Sequence, residues 1–318
     1  MNTPRLTLAD IQAAEPRIDP VFRQSPQYIC EPLSELLGCE LTLKVETQNP
    51  IRSFKGRGAD WLMQGHTAGR VVCASAGNFG QAVAYAARKR QIPLTVYAGL
   101  TANPLKVSRM RALGAEVILF GDDFDAAKAE ARRVAQITGD RFVEDGLDLE
   151  TLVGAGTIGT ELARLPYHLD SLLVPLGNGA LINGIGTALK ALRPNTSIVA
   201  VQAEGAPAML ESWWQKRLVV HDHIQTIADG IGVRVPVPQA LTDMEATVDD
   251  GLLVSEAGIR KAMQLLHRHA GLVVEPSGAV GVAALLEHSD RFRGSRVGAV
   301  ICGGNLTEVQ IREWLFEQ

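Results

Sequence analysis

The sequence reads as an α/β protein built on parallel sheets. Three observations lead there. Short β-rich runs alternate with helical patterns along the chain. Most of those runs are nearly continuous in apolar residues, as strands covered on both faces require. Glycine-rich turns follow at least three of them, at the carboxyl ends where open α/β sheets place ligands.

Residues 41–46 alternate apolar and polar side chains like a strand, Asn49-Pro50 reads as a turn, and a run of small residues after Lys55 opens a helix. Residues 70–75 read as a buried strand and 81–90 as the helix after it. A strand is expected at 94–98, a helix at 104–113 and a strand at 115–120. Asp122 or Asp123 caps an alanine-rich helix over 125–138, which Gly139-Asp140 ends. Further strands are expected at 171–175, 197–202 and 297–301, with a helix at 182–191. Residues 213–223 and 236–238 read as irregular.

A chain of 318 residues accommodates two domains or one large one. Hydrophobic residues make up 46% and mean hydropathy is +0.07, which excludes a disordered or fibrous chain. The net charge of −4 offers no basic field for nucleic acid. Cys30, Cys39, Cys73 and Cys302 show no Cys-x-x-Cys spacing, so a reduced, cytoplasmic compartment is the simplest account. Residues 1–5 lack an apolar leader, and no run is long and apolar enough for a membrane helix.

Lys55 follows Ser53-Phe54 at the start of its helix. The positive end of a helix dipole disfavours an ammonium there. Such a lysine is a candidate amine nucleophile that forms a Schiff base with an aldehyde cofactor, and a solvated surface lysine is the alternative. Ser75-Ala76-Gly77-Asn78 ends one strand and opens a helix. Its amides, the Ser75 hydroxyl and the Asn78 side chain suit a carboxylate, though a plain turn remains open. Gly177-Asn178-Gly179-Ala180 also lies between a strand and a helix, in position for a phosphate cup. It is no P-loop, because no Gly-Lys-Ser/Thr follows, and Ile182 stands where a dinucleotide fingerprint needs its third glycine. Cys302-Gly303-Gly304-Asn305 closes a third strand, while Ala228-Asp229-Gly230 and Glu275-Pro276 put acids beside turns.

Taken in order, these motifs resemble the fold-type II pyridoxal-phosphate enzymes, closest to their serine/threonine dehydratase (threonine ammonia-lyase) and serine racemase branch. The likeness runs from Ala9 to about Leu306. It implies two open, mostly parallel twisted sheets flanked by helices, of the tryptophan synthase β type. A large domain would cover 1–67 and 148–318 and a small one 68–147, closing on substrate, and the chain would form a homodimer. Pyridoxal 5'-phosphate would be held by Lys55, with Phe54 against its ring and Asn78 at its hydroxyl. Gly177, Asn178, Gly179 and Ala180 would take its phosphate, Cys302 would meet the ring nitrogen, and Glu275 would complete the cofactor set. Ser53, Ser75, Ala76, Gly77 and Asn78 would bind the amino acid substrate, with Arg52 as a clamp for a second acidic group. Lys55 would then remove the α-proton in a β-elimination that yields a 2-oxo acid and ammonia from L-threonine or L-serine. A larger or acidic 3-hydroxy amino acid, or a β-replacement, is the alternative.

Departures from the family pattern narrow this. Ala76 stands where racemases carry a second serine, which argues against racemisation. Phe79 replaces a common histidine, and Ile51-Arg52 replaces Thr-Gly. Leu210 stands where relatives have an aspartate beside Glu204 and Ala208, so no metal site is expected. The sequence ends just after the Cys302 motif, so no regulatory domain is expected. His221/His223 and His267/His269 read as structural pairs.

Overall fold

The computed structural model describes residues 5–67 and 69–316. The boundary expected at Ala68 and residues 1–4 of the leader reading lie outside these. Ten strands form two sheets: β1 (Gln27–Ile29), β2 (Glu40–Val45), β3 (Val71–Ala74), β4 (Leu94–Ala98), β5 (Glu116–Leu119), β6 (Arg141–Val143), β7 (Ser171–Pro175), β8 (Ser197–Ala203), β9 (Asp250–Val254) and β10 (Arg296–Ile301). The larger sheet runs β1-β2-β10-β7-β8-β9 and is parallel except for β1. The smaller runs β5-β4-β3-β6, all parallel.

Register decides what meets what. Ile301 of β10 lies beside Val45 of β2, and Ala299 lies beside Leu173 of β7. The segments leading to Lys55, Gly177 and Cys302 therefore leave the larger sheet on one edge. In the smaller sheet Cys73 lies beside Val143. The chain after β3, which begins with Ser75, thus emerges next to the chain after β6, which begins with Glu144-Asp145.

The helix carrying Lys55, Lys55–Gln64, packs on the helix Leu149–Leu162 through glycines. A Cβ on Gly58 would lie 2.8 Å from Thr151 Cα, and one on Gly154 would lie 2.3 Å from Gly58 Cα. The same long helix uses Gly159 against Ala180–Leu192, where an added Cβ would meet Ile185 O at 2.8 Å. Glycine disfavours helix by propensity, so this helix has no clear signature in sequence. Close packing outweighs the propensity.

Two residues past Lys55, the guanidinium of Arg57 is fully buried between two carboxylates. It donates to Glu46 Oε1 and Oε2 at 2.9 Å each, and to Glu161 Oε1 at 2.6 Å and Oε2 at 2.9 Å. Lys44 Nζ reaches Glu161 Oε2 at 2.5 Å. Burial pushes the Glu161 carboxyl up, but Arg57 and Lys44 outweigh it and hold it at about 2. The network ties the helix Lys55–Gln64 to β2 and to Leu149–Leu162.

Three local expectations are corrected. The helix expected at 81–90 runs Asn78–Lys89, so Asn78 is its first residue. Residues 213–215 are helical, within Ala208–Gln215, because Met209 and Leu210 bury one face of that turn. Pro238 opens the helix Pro238–Thr247, at a position whose N–H has no helical partner to lose.

Candidate active site

The carboxyl ends of the two sheets face each other across a cavity of about 250 Å³. Lys55, Asn78, Gly177, Asn178, Gly179, Glu275 and Cys302 all line it, with Phe54, Ser75, Ala76 and Gly77.

Asn49 shapes the approach to Lys55. Its side-chain oxygen accepts from the N–H of Ile51 (3.1 Å) and Ser53 (3.3 Å), and its amide donates to the carbonyls of Glu46 (2.8 Å) and Ser53 (3.1 Å). The Phe54 N–H then donates to the Cys302 carbonyl at 3.0 Å, which fixes the lysine loop to the end of β10. Lys55 Nζ stands 4.5 Å from the centre of the Phe54 ring and 2.5 Å from Asp145 Oδ2. Asn178 of the glycine loop donates to the same Asp145 oxygen at 2.7 Å and to the Asp145 carbonyl at 2.9 Å.

In the facing wall, Ser75 Oγ accepts from the N–H groups of Gly77 (3.1 Å) and Gly80 (2.9 Å). Asn78 donates to Glu275 Oε1 at 2.7 Å and accepts from the Asn305 amide at 2.9 Å. Asn305 N–H donates to Glu275 Oε2 at 2.9 Å. Burial raises the Glu275 carboxyl, against the pull of Lys106. Burial also raises the Cys302 thiol, and Glu275 adds to it, so the sulfur stays a neutral thiol. Its Sγ donates to the Ser277 carbonyl at 3.5 Å.

Three expected site residues do not line the cavity. Arg52 sits at φ 51° with an exposed side chain, and its carbonyl accepts from the Gly304 N–H at 3.0 Å. The loop therefore presents its backbone to Gly304 and its side chain to solvent, which removes the expected clamp. Ser53 is fully buried, its hydroxyl accepting from the Lys55 N–H at 3.4 Å. Ala180 begins the helix Ala180–Leu192, and its N–H meets Asn178 Oδ1 at 3.4 Å.

Two charged residues of the cavity carried no signal in the sequence. Asp145 follows a three-residue strand and belongs to no motif. Lys106 lies inside the helix Pro104–Ala112, where a lysine normally marks a solvated face, yet its side chain is 4% exposed and bonded to Asp229. Only the packing of the helix over the cleft reveals either one.

The chain as a whole has relatives among known proteins. The chain is similar to an L-threonine ammonia-lyase of Thermotoga maritima, 37% identical over 305 residues that cover 95% of this chain and 76% of the relative. It is similar to an L-threonine dehydratase (catabolic TdcB) of Staphylococcus aureus, 35% identical over 309 residues covering 95% and 89%. Among solved structures, threonine deaminase isoform 2 from Solanum lycopersicum superposes with a TM-score of 0.88 at 30% identity, covering 96% of this chain and 85% of that one. Maize serine racemase superposes with a TM-score of 0.90 at 27% identity, covering 96% of both chains. The family model described as pyridoxal-phosphate dependent enzyme matches residues 18–303. A lysine, an asparagine loop and a glycine cup around one cavity thus coincide with a match along most of the chain, which belongs to the pyridoxal-phosphate dependent enzymes.

Proposed function

We propose that the protein is a pyridoxal-phosphate dependent ammonia-lyase that eliminates the β-hydroxyl of a small hydroxy amino acid such as L-threonine or L-serine. The observation that carries this is the single cavity on which Lys55, the Ser75–Asn78 loop and the Gly177–Gly179 loop all open. The relatives named as threonine ammonia-lyase and threonine dehydratase support the same reaction.

The residues present fit the cofactor. A Cβ on Gly179, at φ 96°, would lie 2.7 Å from Ala240 Cβ, and one on Gly177 would lie 3.3 Å from the Gly230 carbonyl, so glycine lets this loop pack closely at both positions. The helix that starts at Ala180 turns its first N–H groups toward the cup, as a phosphate needs. Ser277 Oγ is buried with no hydrogen-bond partner and lines the cavity beside Cys302. In this reading Lys55 would bond the cofactor, Gly177–Ala180 would hold its phosphate, and Asn78, Glu275 and Cys302 would bind its ring.

Pyridoxal phosphate, when bound, supplies the electron sink for charge that develops on the substrate α-carbon. The chain supplies the rest. The Lys55 amine, once free of the cofactor, would take the α-proton as general base. Asp145 receives the resulting ammonium, at the distance its carboxylate already keeps from Lys55 Nζ. The Ser75–Asn78 loop orients the substrate carboxylate. The β-hydroxyl would depart as water with the proton that Lys55 took, and the released enamine would tautomerise and hydrolyse to a 2-oxo acid and ammonia.

A neutral side chain suits this site better than an acidic one. An adjoining cavity of about 500 Å³ shares Ser75, Phe79, Asp145 and Asn178 with the first. It is lined by Asp123, Asp125, Glu144, Asp145 and Asp222 against Lys128 and Arg234. Both of those cations are already paired, Lys128 with Glu144 and Arg234 with Asp125. We further propose that strands β3–β6 and their helices, over about 68–147, form the smaller unit that closes over substrate. The deciding assay is 2-oxo acid release from L-serine, L-threonine and 3-hydroxyaspartate by protein loaded with pyridoxal phosphate. Release from none of them, with the cofactor bound, rejects the elimination and favours β-replacement.

A further inference from the structure

Lys106 is a second lysine in the cavity. Burying an ammonium is costly unless its hydrogens find partners. Of its three, one is accounted for among the described residues, by Asp229 Oδ2 at 2.6 Å. The pairing is asymmetric, because the Lys106 side chain is 4% exposed and that of Asp229 is 55% exposed. Asp229 can therefore turn to water at little cost, while Lys106 cannot. The buried acid nearby, Glu275, is engaged by Asn78 and Asn305.

The position of Lys106 is specific. A Cβ added to Gly77 would lie 3.7 Å from Lys106 Nζ, which places the ammonium against the asparagine loop. That loop is poorer in free donors than its length suggests, since Ser75 Oγ occupies the N–H groups of both Gly77 and Gly80. The ammonium supplies the charge that the remaining amides lack.

We propose that Lys106 binds the α-carboxylate of the amino acid substrate, with Asp229 holding the ammonium until the carboxylate replaces it. The proposal rests on the reading of the Ser75–Asn78 loop as the carboxylate wall. It adds a cation on an element outside every sequence motif, and it makes recognition depend on an exchange of partners.

The test titrates the pyridoxal-phosphate holoenzyme with L-alanine and with L-alaninamide, neither of which has a β-hydroxyl to lose, and reads the visible absorbance of the cofactor. The wild type is expected to favour the acid. Lys106→Gln should weaken L-alanine by about 10- to 100-fold, the range for a hydrogen bond to a charged group, and leave L-alaninamide within about threefold. Lys106→Arg should restore most of the preference. Equal losses for acid and amide, or an undiminished preference for the acid, overturn the assignment. Should Lys106→Gln not fold, Asp229→Asn decides, since it keeps the lysine and removes its competitor. Tighter L-alanine with unchanged L-alaninamide supports the exchange, and unchanged or weaker L-alanine overturns it. If the wild-type holoenzyme responds to neither compound, the underlying reading of the cavity fails, a result separate from an unaltered acid preference in Lys106→Gln.

Discussion

Asp145 Oδ2 lies 2.5 Å from Lys55 Nζ, and the same oxygen accepts from Asn178 at 2.7 Å. One carboxylate thus links the lysine of the larger sheet, the glycine cup and the end of β6. Asp145 Oδ1 is buried without a hydrogen-bond partner. If Lys55 is taken up by the cofactor, as proposed, this carboxylate keeps its charge with one oxygen unpartnered, and a second anion brought beside it should be disfavoured, which sets a charge preference for the substrate.

Replacing Asp145 by Asn should relax that preference. In the wild type, 3-hydroxyaspartate should be turned over far less efficiently than L-serine or L-threonine. In Asp145→Asn the gap in kcat/KM should narrow by about tenfold, the equivalent of about 1.4 kcal/mol. An unchanged ratio in the two proteins refutes the charge argument.

On the proposed mechanism, Lys55→Ala removes both the attachment of the cofactor and the base. Turnover should fall by at least about 10³-fold, since general-base catalysis alone contributes about 10²–10⁴. The visible absorbance of the lysine-bound cofactor should disappear with it. Retention of activity would sink the whole assignment.

Gly179→Ala combines a φ of 96° with a Cβ contact of 2.7 Å to Ala240. The strain should cost about 1–3 kcal/mol and reduce cofactor affinity by about tenfold or more. Fluorescence titration with pyridoxal phosphate, beside thermal unfolding of the same variant, separates the two effects.

Glu161→Gln breaks the buried network around Arg57. Removing one partner leaves buried cations uncompensated and should cost about 3–5 kcal/mol at neutral pH. The sign with pH follows from the depressed carboxyl, at about 2 in the fold against 4.5 as its reference value. The contribution is fully present above pH 4.5 and is lost as pH falls toward 2. Denaturant unfolding of both proteins should therefore converge in stability as the pH is lowered through that window.

Much of the site was legible because its chemistry demands local patterns. A glycine cup, a lysine behind Ser-Phe, and a strand that ends in Cys302-Gly-Gly-Asn are each contiguous, so Lys55, Asn78, Gly177, Gly179 and Cys302 were named before the fold was known. They line one cavity because parallel strands end on the same edge. The helix Leu149–Leu162 was not legible, since its glycines oppose helix formation alone and act only through contacts with other helices, at Ile11, Gly58, Gly184 and Ile185 among others.

The sequence by itself determined the alternation of strands and helices, the pyridoxal-phosphate family and most of the residues that line the candidate site. Tertiary structure alone decided the charge of the site. Asp145 reaches Lys55 because β6 pairs with β3, and Lys106 is buried because its helix lies over the cleft. Arg52 is lost from the site because a positive-φ turn directs it to solvent. Charge at a site depends on distances across the chain, 90 residues between Lys55 and Asp145 and 123 between Lys106 and Asp229, and no local pattern encodes such distances.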